Sequence, residues 1–294
     1  MDFALRVKLA HIRVAISETA KMVAIYEYFG YDLPIAELFS LIRAVGFDAV
    51  GLWRDDAFGW VGHRDAPDLA RRAGLEVIDG HGPFVREEYD VANSLWLDNL
   101  DGETTFQIYR RAIEECGEDG IANIVLHAEV NYDKYVSPPP SELGITRIRK
   151  LADFAQSCGV TIALENCGHD EYLRYIFDRV DSPHLGLCYD SGHKNLAAQD
   201  VDLLTLYGDR LACLHLHDNN GARDEHLLPM HGSIDWQSEM AKIAQTGYRG
   251  PVTLESSIGV TVADTKDTTQ AEVWLRRAFD VATQLEHMHM TSIT

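Results

Sequence analysis

Along the chain, short apolar runs alternate with longer stretches whose apolar positions recur every three to four residues. The runs at 23–26, 49–53, 76–79, 123–127, 160–165, 185–190, 211–217 and 251–255 have strand length. They are continuously apolar rather than alternating, as strands covered on both faces should be. Helical periodicity marks 33–45, 65–73, 104–115, 145–157, 171–180, 202–207, 235–245 and 269–285. Gly46, Gly74, Gly159 and Gly247 each follow a helical run, where a left-handed residue can end a helix before the next strand. Strict alternation of strand and helix implies a parallel sheet, and eight such units imply closure. The expected fold class is therefore α/β, a single (β/α)8 TIM barrel, with a doubly wound open sheet as the competing arrangement.

The barrel should span 22–285, between a short N-terminal extension at 1–21 and a frayed tail at 286–294. Two strand-to-helix connections, 80–103 and 128–143, are long; on a barrel mouth such loops act as lids or pack as surface insertions. Trp53, Trp60, Phe84, Tyr132 and Tyr135 fall on that side, where aromatic faces could stack on a sugar or simply pack.

A formal charge of −20 and a pI near 4.9 repel phosphate backbones and anionic lipid, which argues against nucleic acid or a membrane surface as partner. No apolar run approaches the roughly 20 residues of a membrane span, and no signal-peptide pattern is evident, so a cytoplasmic location is expected. The five cysteines are odd in number and never spaced as C-x-x-C, which fits free thiols in a reducing compartment.

Chemistry concentrates where strands end. Six of the eight predicted strands finish in or beside His81, His127, Glu165, Asp190, His215 and Glu255. Singly, a strand-end His is more often a hydrogen-bonded structural residue and a Glu a solvated loop residue; their coincidence on one edge of a barrel favours a site. Glu165, Asp190, His215 and Glu255 form a mostly hard-oxygen ligand set for one divalent metal ion, best suited to Mn2+, with Mg2+, Co2+ or Zn2+ as alternatives. Such an ion could grip neighbouring oxygens of a hydroxy-ketone and stabilise an enediolate, while Glu165 and Glu255 remove and return the proton. Return to the opposite face gives epimerisation, and return to the neighbouring carbon gives isomerisation. His193 follows Asp190 by three residues, and strand alternation puts His217 on the side of His215, which is taken as the ligand of the two. Cys188 and Cys213 share the inward parity of Asp190 and His215 and should fill a core layer beneath. Arg54, Lys134, Lys194 and Arg223 are the basic residues placed to hold a substrate phosphate or carboxylate.

Leu164-Glu165-Asn166, Tyr189-Asp190-Ser191-Gly192-His193, His215-Leu216-His217-Asp218-Asn219-Asn220-Gly221, Asp224-Glu225-His226, Gly232-Ser233-Ile234-Asp235-Trp236 and Val252-Thr253-Leu254-Glu255-Ser256 together resemble the xylose-isomerase-like barrel superfamily of sugar phosphate isomerases and epimerases. The resemblance covers about 22–285. It implies metal ligation by Glu165, Asp190, His215 and Glu255, acid–base roles for the two glutamates, and substrate contacts at His193. With His81, His127, His217, Arg223 and His226 added as substrate-binding candidates, the expected partner is a small ketose, keto-inositol or other polyol. A homo-oligomer is compatible with the sequence. The nearest alternative is a sugar or inositol dehydratase, with His193, His217 or His231 as the second acid. The endonuclease IV-like branch binds three zinc ions through residue types matched here by His81, His127, Glu165, Asp190, His193, His215, Asp224, His226 and Glu255. That branch's Gly-Glu-Gly before Ile-Asp-Trp is replaced by Met230-His231-Gly232.

Overall fold

The computed structural model describes residues 22–54, 64–84, 90–130, 137–196, 201–259 and 266–293. The N-terminal extension and the candidates Trp60, Tyr132, Lys134 and Tyr135 lie outside the described residues. Eight parallel strands, β1 (Val23–Tyr26), β2 (Ala49–Trp53), β3 (Glu76–His81), β4 (Asn123–His127), β5 (Thr161–Glu165), β6 (Leu185–Asp190), β7 (Leu211–His215) and β8 (Val252–Leu254), lie in the order β7-β6-β5-β4-β3-β2-β1-β8. The ends of that row meet just beyond β7. Leu216 N–H donates to the Thr253 carbonyl at 2.9 Å, and Glu255 N–H donates to the Leu216 carbonyl at 3.1 Å. This closure makes the fold a single (β/α)8 TIM barrel and excludes the open sheet.

Helices α1 (Ile35–Val45), α2 (Ala66–Arg72), α3 (Val91–Ser94), α4 (Leu100–Glu118), α5 (Glu142–Cys158), α6 (Asp170–Phe177), α7 (Ser191–Leu196), α8 (Leu203–Tyr207), α9 (Trp236–Gln245) and α10 (Thr268–Ile293) occupy the connections and the C-terminal end. The four glycines expected to end helices all have positive φ, between 70° and 130°. Asn99, Ser141, Asp202 and Asp235 cap the starts of α4, α5, α8 and α9 with side-chain oxygens on backbone N–H groups. Two short helices, α3 and α7, were not expected, because neither is long enough to show a period. Helix α10 corrects the expected end at 285. Its buried stripe Ala271, Leu275, Ala278, Ala282 and Leu285 continues through His289, so part of the expected frayed tail is helical.

Period-two alternation sorts the strand side chains into two cores. Val23, Ile25, Val50, Leu52, Ile124, Leu126, Ile162, Leu164, Leu185 and Leu187 face the helices in one continuous cluster. Val125, Ala163, Cys188 and Cys213 form a separate cluster inside the barrel. Each lies two residues before a site candidate, His127, Glu165, Asp190 or His215, so the cysteines form the layer expected of them. Burial raises the Cys188 and Cys213 thiols above their ordinary range and keeps them protonated.

The described parts of the two long connections pack on each other. Trp96 Nε1 donates to the Ala128 carbonyl at 2.6 Å, Ser141 Oγ donates to the Trp96 carbonyl at 2.9 Å, and Asn93 Nδ2 donates to the Val130 carbonyl at 3.0 Å. With Val91, Ala92, Leu95 and Trp96 buried, these segments form a fixed wall beside the barrel mouth. No helix among the described residues is long and apolar enough to cross a membrane.

Candidate metal centre

Inward parity at the C-terminal strand ends converges side chains from six strands. Glu165 is the hub. Its Oε2 accepts from His127 Nε2 at 2.9 Å and lies 3.2 Å from the ring of His81, whose Nδ1 donates to the Gly82 carbonyl, while Oε1 faces His193 Nδ1 at 3.2 Å and His215 Nδ1 at 3.5 Å. Glu255 Oε2 lies 3.1 Å from His215 Nδ1. Asn166 ties this edge together: its amide donates to the Asp190 carbonyl at 2.9 Å and accepts from the Asp190 N–H at 2.8 Å. That pairing explains why Asn follows the Glu at the end of β5.

One ligand atom each from Glu165, Asp190, His215 and Glu255 lies within 4.8 Å of the others, and all four residues are buried. A second group, His81, Glu165 and His215, and a third, His193, His217, Asp224 and His226, meet the same separation. Asp190 Oδ2, His193 Nδ1, His215 Nδ1, both His217 ring nitrogens and Asp224 Oδ1 are buried with no hydrogen-bond partner. Orphaned buried polar atoms are costly, about 1–3 kcal/mol each. A cation held by Glu165, Asp190, His215 and Glu255 would satisfy the orphaned atoms of that group, so this donor set fits a divalent ion.

The third group is assembled by the loop after β7. Asp218 and Leu227 exchange backbone hydrogen bonds at 2.8 and 2.9 Å, and the Asp218 carboxylate accepts from Met230 N at 3.0 Å and Trp236 Nε1 at 2.8 Å. This folds Asp224 and His226 back over His217, whose ring stacks on His226 at 3.9 Å and 9°. His226 takes a left-handed φ of 47°, a conformation uncommon outside glycine that recurs at functional sites. Across the loop, a Cβ at Gly192 would come within 1.9 Å of the His217 ring, so only glycine fits between Ser191 and His193.

Electrostatics follow from this crowding. Burial alone would raise the Glu165 carboxyl; the His215 and His127 imidazoles, with the hydrogen bond from His127 and the adjacent His193 ring, override it and hold it well below the usual range. At Glu255, burial is likewise outweighed, chiefly by His215, and the carboxyl is pulled down to about 2. Burial opposes charge on His193 and His226, yet Asp190 and Asp224 raise the first well above its ordinary value, and Asp224 raises the second to about 9. Burial lowers His127 and keeps it neutral.

His81, His127, His193, His217 and His226 therefore all join the four candidate ligands at the mouth. Arg223 does not: its side chain is 84% exposed, 4.0 Å from Glu225. Arg54 is bound to Asp119 at 2.6 Å, and Lys194 donates to the Val201 carbonyl at 2.7 Å. His231 is exposed. Trp53 stacks on His81 at 4.2 Å and Phe84 lies against His127 at 4.5 Å, so these two aromatics wall one side. Sequence reasoning missed Glu129, whose carboxylate accepts from His169 N at 3.0 Å. Its spacing of two from His127 was the available signal. It also missed Tyr26 and Asp79 inside the barrel.

Fold and site together define a (β/α)8 barrel with an acidic, histidine-rich mouth suited to a divalent ion. The chain belongs to the family described as xylose isomerase-like TIM barrel, whose profile matches residues 39–278. It is 29% identical over 288 residues to the protein y4fM of Sinorhizobium fredii, covering 88% of this chain and 90% of that one. It is 25% identical over 246 residues to fructoselysine 3-epimerase of Shigella flexneri, covering 76% and 85% respectively. The crystal structure of a D-tagatose 3-epimerase-like protein superposes with a TM-score of 0.67 at 20% identity, over 93% of this chain and all of that one. The chain's kinship is thus with enzymes of the sugar isomerase and epimerase kind.

Proposed function

We propose that this protein is a divalent-metal-dependent epimerase or isomerase of an unphosphorylated ketose or keto-polyol. The observation that carries the proposal is the convergence of Glu165, Asp190, His215 and Glu255 within 4.8 Å at the barrel mouth. These four residues would hold the ion, Mn2+ by donor preference, with Mg2+, Co2+ and Zn2+ as alternatives. A bound ion would supply Lewis-acid polarisation of the substrate's carbonyl and adjacent hydroxyl. One glutamate takes the proton from the carbon between those oxygens and the other donates a proton to the opposite face, or to the neighbouring carbon for isomerisation. His81 and His127 occupy Glu165 Oε2 and leave Oε1 for the substrate side. His193 is positioned to contact substrate oxygens, and Trp53 and Phe84 to cover an apolar sugar face.

Among the described residues, the engagement of Arg54 and Lys194 elsewhere and the outward side chain of Arg223 support a substrate without phosphate. After reconstitution with Mn2+, incubation with candidate ketoses in deuterated water should place one deuterium at the inverted or adjacent carbon of the product. A product lighter by one water would instead establish a dehydratase.

The three ligand groups, two of which share Glu165 and His215, favour one alternative, a multinuclear zinc phosphodiesterase of the endonuclease IV-like kind. Metal analysis of the purified protein separates the two: close to three zinc ions per chain would replace the epimerase proposal, and about one ion would support it.

A further inference from the structure

Below the proposed ligands, the barrel interior holds a polar pair that no ligand role uses. Tyr26, Gly51 and Asp79 stand in one row across β1, β2 and β3, where Tyr26 pairs with Gly51 and Gly51 with Asp79. A Cβ at Gly51 would lie 2.6 Å from the Tyr26 ring and 2.7 Å from Asp79 Oδ1, so glycine at this strand position opens the space in which the two side chains meet. Tyr26 Oη donates to Asp79 Oδ1 at 2.7 Å and lies 3.0 Å from His215 Nε2, with the tyrosine and histidine rings edge-to-face at 4.9 Å. All three side chains are buried.

We propose that Tyr26 and Asp79 are positioning residues that set the tautomer and ring orientation of His215 for cation binding. The inference rests on the assignment of Glu165, Asp190, His215 and Glu255 as a cation site. A phenol has one proton, and here it goes to the Asp79 carboxylate. The phenol oxygen is left as an acceptor, so His215 must offer Nε2–H to it. Nδ1 then carries the lone pair, and Nδ1 is the atom that faces Glu165 Oε1 at 3.5 Å and Glu255 Oε2 at 3.1 Å. Phenylalanine at position 26 would fill the same volume. A buried hydroxyl and carboxylate beside the Val125–Ala163–Cys188–Cys213 layer cost desolvation that packing alone does not require. Partners behind a metal-binding imidazole typically account for about 10–100-fold in metal affinity.

The test uses the full chain stripped with chelator and titrated with MnCl2 by calorimetry, as parent, Tyr26→Phe, Asp79→Asn and the double variant, with urea unfolding of each metal-free protein alongside. Both single variants should raise the Mn2+ dissociation constant about 10–100-fold. The double variant should be no weaker than Tyr26→Phe, since Asp79 acts through Tyr26. A purely structural pair would shift the unfolding midpoints and leave Mn2+ affinity within threefold of parent, which overturns the inference. Additive losses in the double variant would also overturn it. If Tyr26→Phe fails to fold, the isosteric Asp79→Asn decides alone. A parent protein that binds no Mn2+ would overturn the cation site and the pair's role with it, whereas equal affinity in parent and variants overturns the pair alone.

Discussion

Replacing Glu165 with Gln keeps the shape of the hub and removes its charge. Glu165 Oε2 accepts from His127 Nε2 at 2.9 Å and lies 3.2 Å from His81 Nε2. A hydrogen bond to a charged acceptor contributes about 1.5–3 kcal/mol against about 0.5–1.5 for a neutral one, so this exchange lowers stability by about 1 kcal/mol. The amide cannot escape by flipping. With NH2 toward His81 and His127 it meets the His127 Nε2–H donor, and with NH2 toward His193 and His215 it turns a donor to the proposed ion. Glu255 Oε2 lies 3.1 Å from His215 Nδ1 without a hydrogen bond, so Glu255→Gln should cost less stability than Glu165→Gln. Both variants should lose about 10²–10⁴-fold in turnover if the two carboxylates share the proton transfer. The sign with pH is fixed by the depressed Glu165 carboxyl: its stabilisation is present above about pH 4.3, the ordinary glutamate value, and is lost as pH falls through the lower folded value. The stability gap between parent and Glu165→Gln should therefore close in acid. Urea unfolding of metal-free protein at several pH values, with deuterium exchange for turnover, measures all of this. Turnover of Glu165→Gln within tenfold of parent, or Glu255→Gln destabilised as much as Glu165→Gln, would refute the hub assignment.

Other consequences are also open to measurement. The His226–Asp224 pair holds His226 at about 9, so its contribution to the metal-free protein is complete below about pH 6.5 and fades as pH rises through about 9. Unfolding midpoints should fall across that window, and His226→Gln should flatten the fall. Mn2+ affinity should also rise with pH, since the ion competes with a proton for the proposed ligand His215. Gly192→Ala drives a methyl into the His217 ring and should cost about 1–3 kcal/mol in urea unfolding, with no effect if the loop yields freely. Ending the chain at Leu285 removes the buried Glu286 and His289 and should lower the thermal midpoint; an unchanged midpoint would mean that the last turns of α10 contribute nothing.

The barrel and the identity of its four proposed ligands were legible in the sequence because both depend on local regularities. Strand–helix alternation specifies a parallel sheet, and a period of two carries inward parity from Ala163 to Glu165, from Cys188 to Asp190 and from Cys213 to His215. Glycine after a helical run reports a backbone torsion, which is also local. What tertiary structure alone decided are relations between strands and loops far apart in the chain. Tyr26 reaches Asp79 only because register sets Gly51 between them. His217 meets His226 only because the Asp218–Leu227 pairing folds the loop back, and Arg223 in that same loop turns outward despite its favourable spacing. Helix α10 runs on to Ile293, past the expected end at Leu285, and tertiary packing buries His289 in that added stretch. A chain states which side chains share a face; closure of the barrel determines which of them meet, because contact depends on register and loop direction that no single segment encodes.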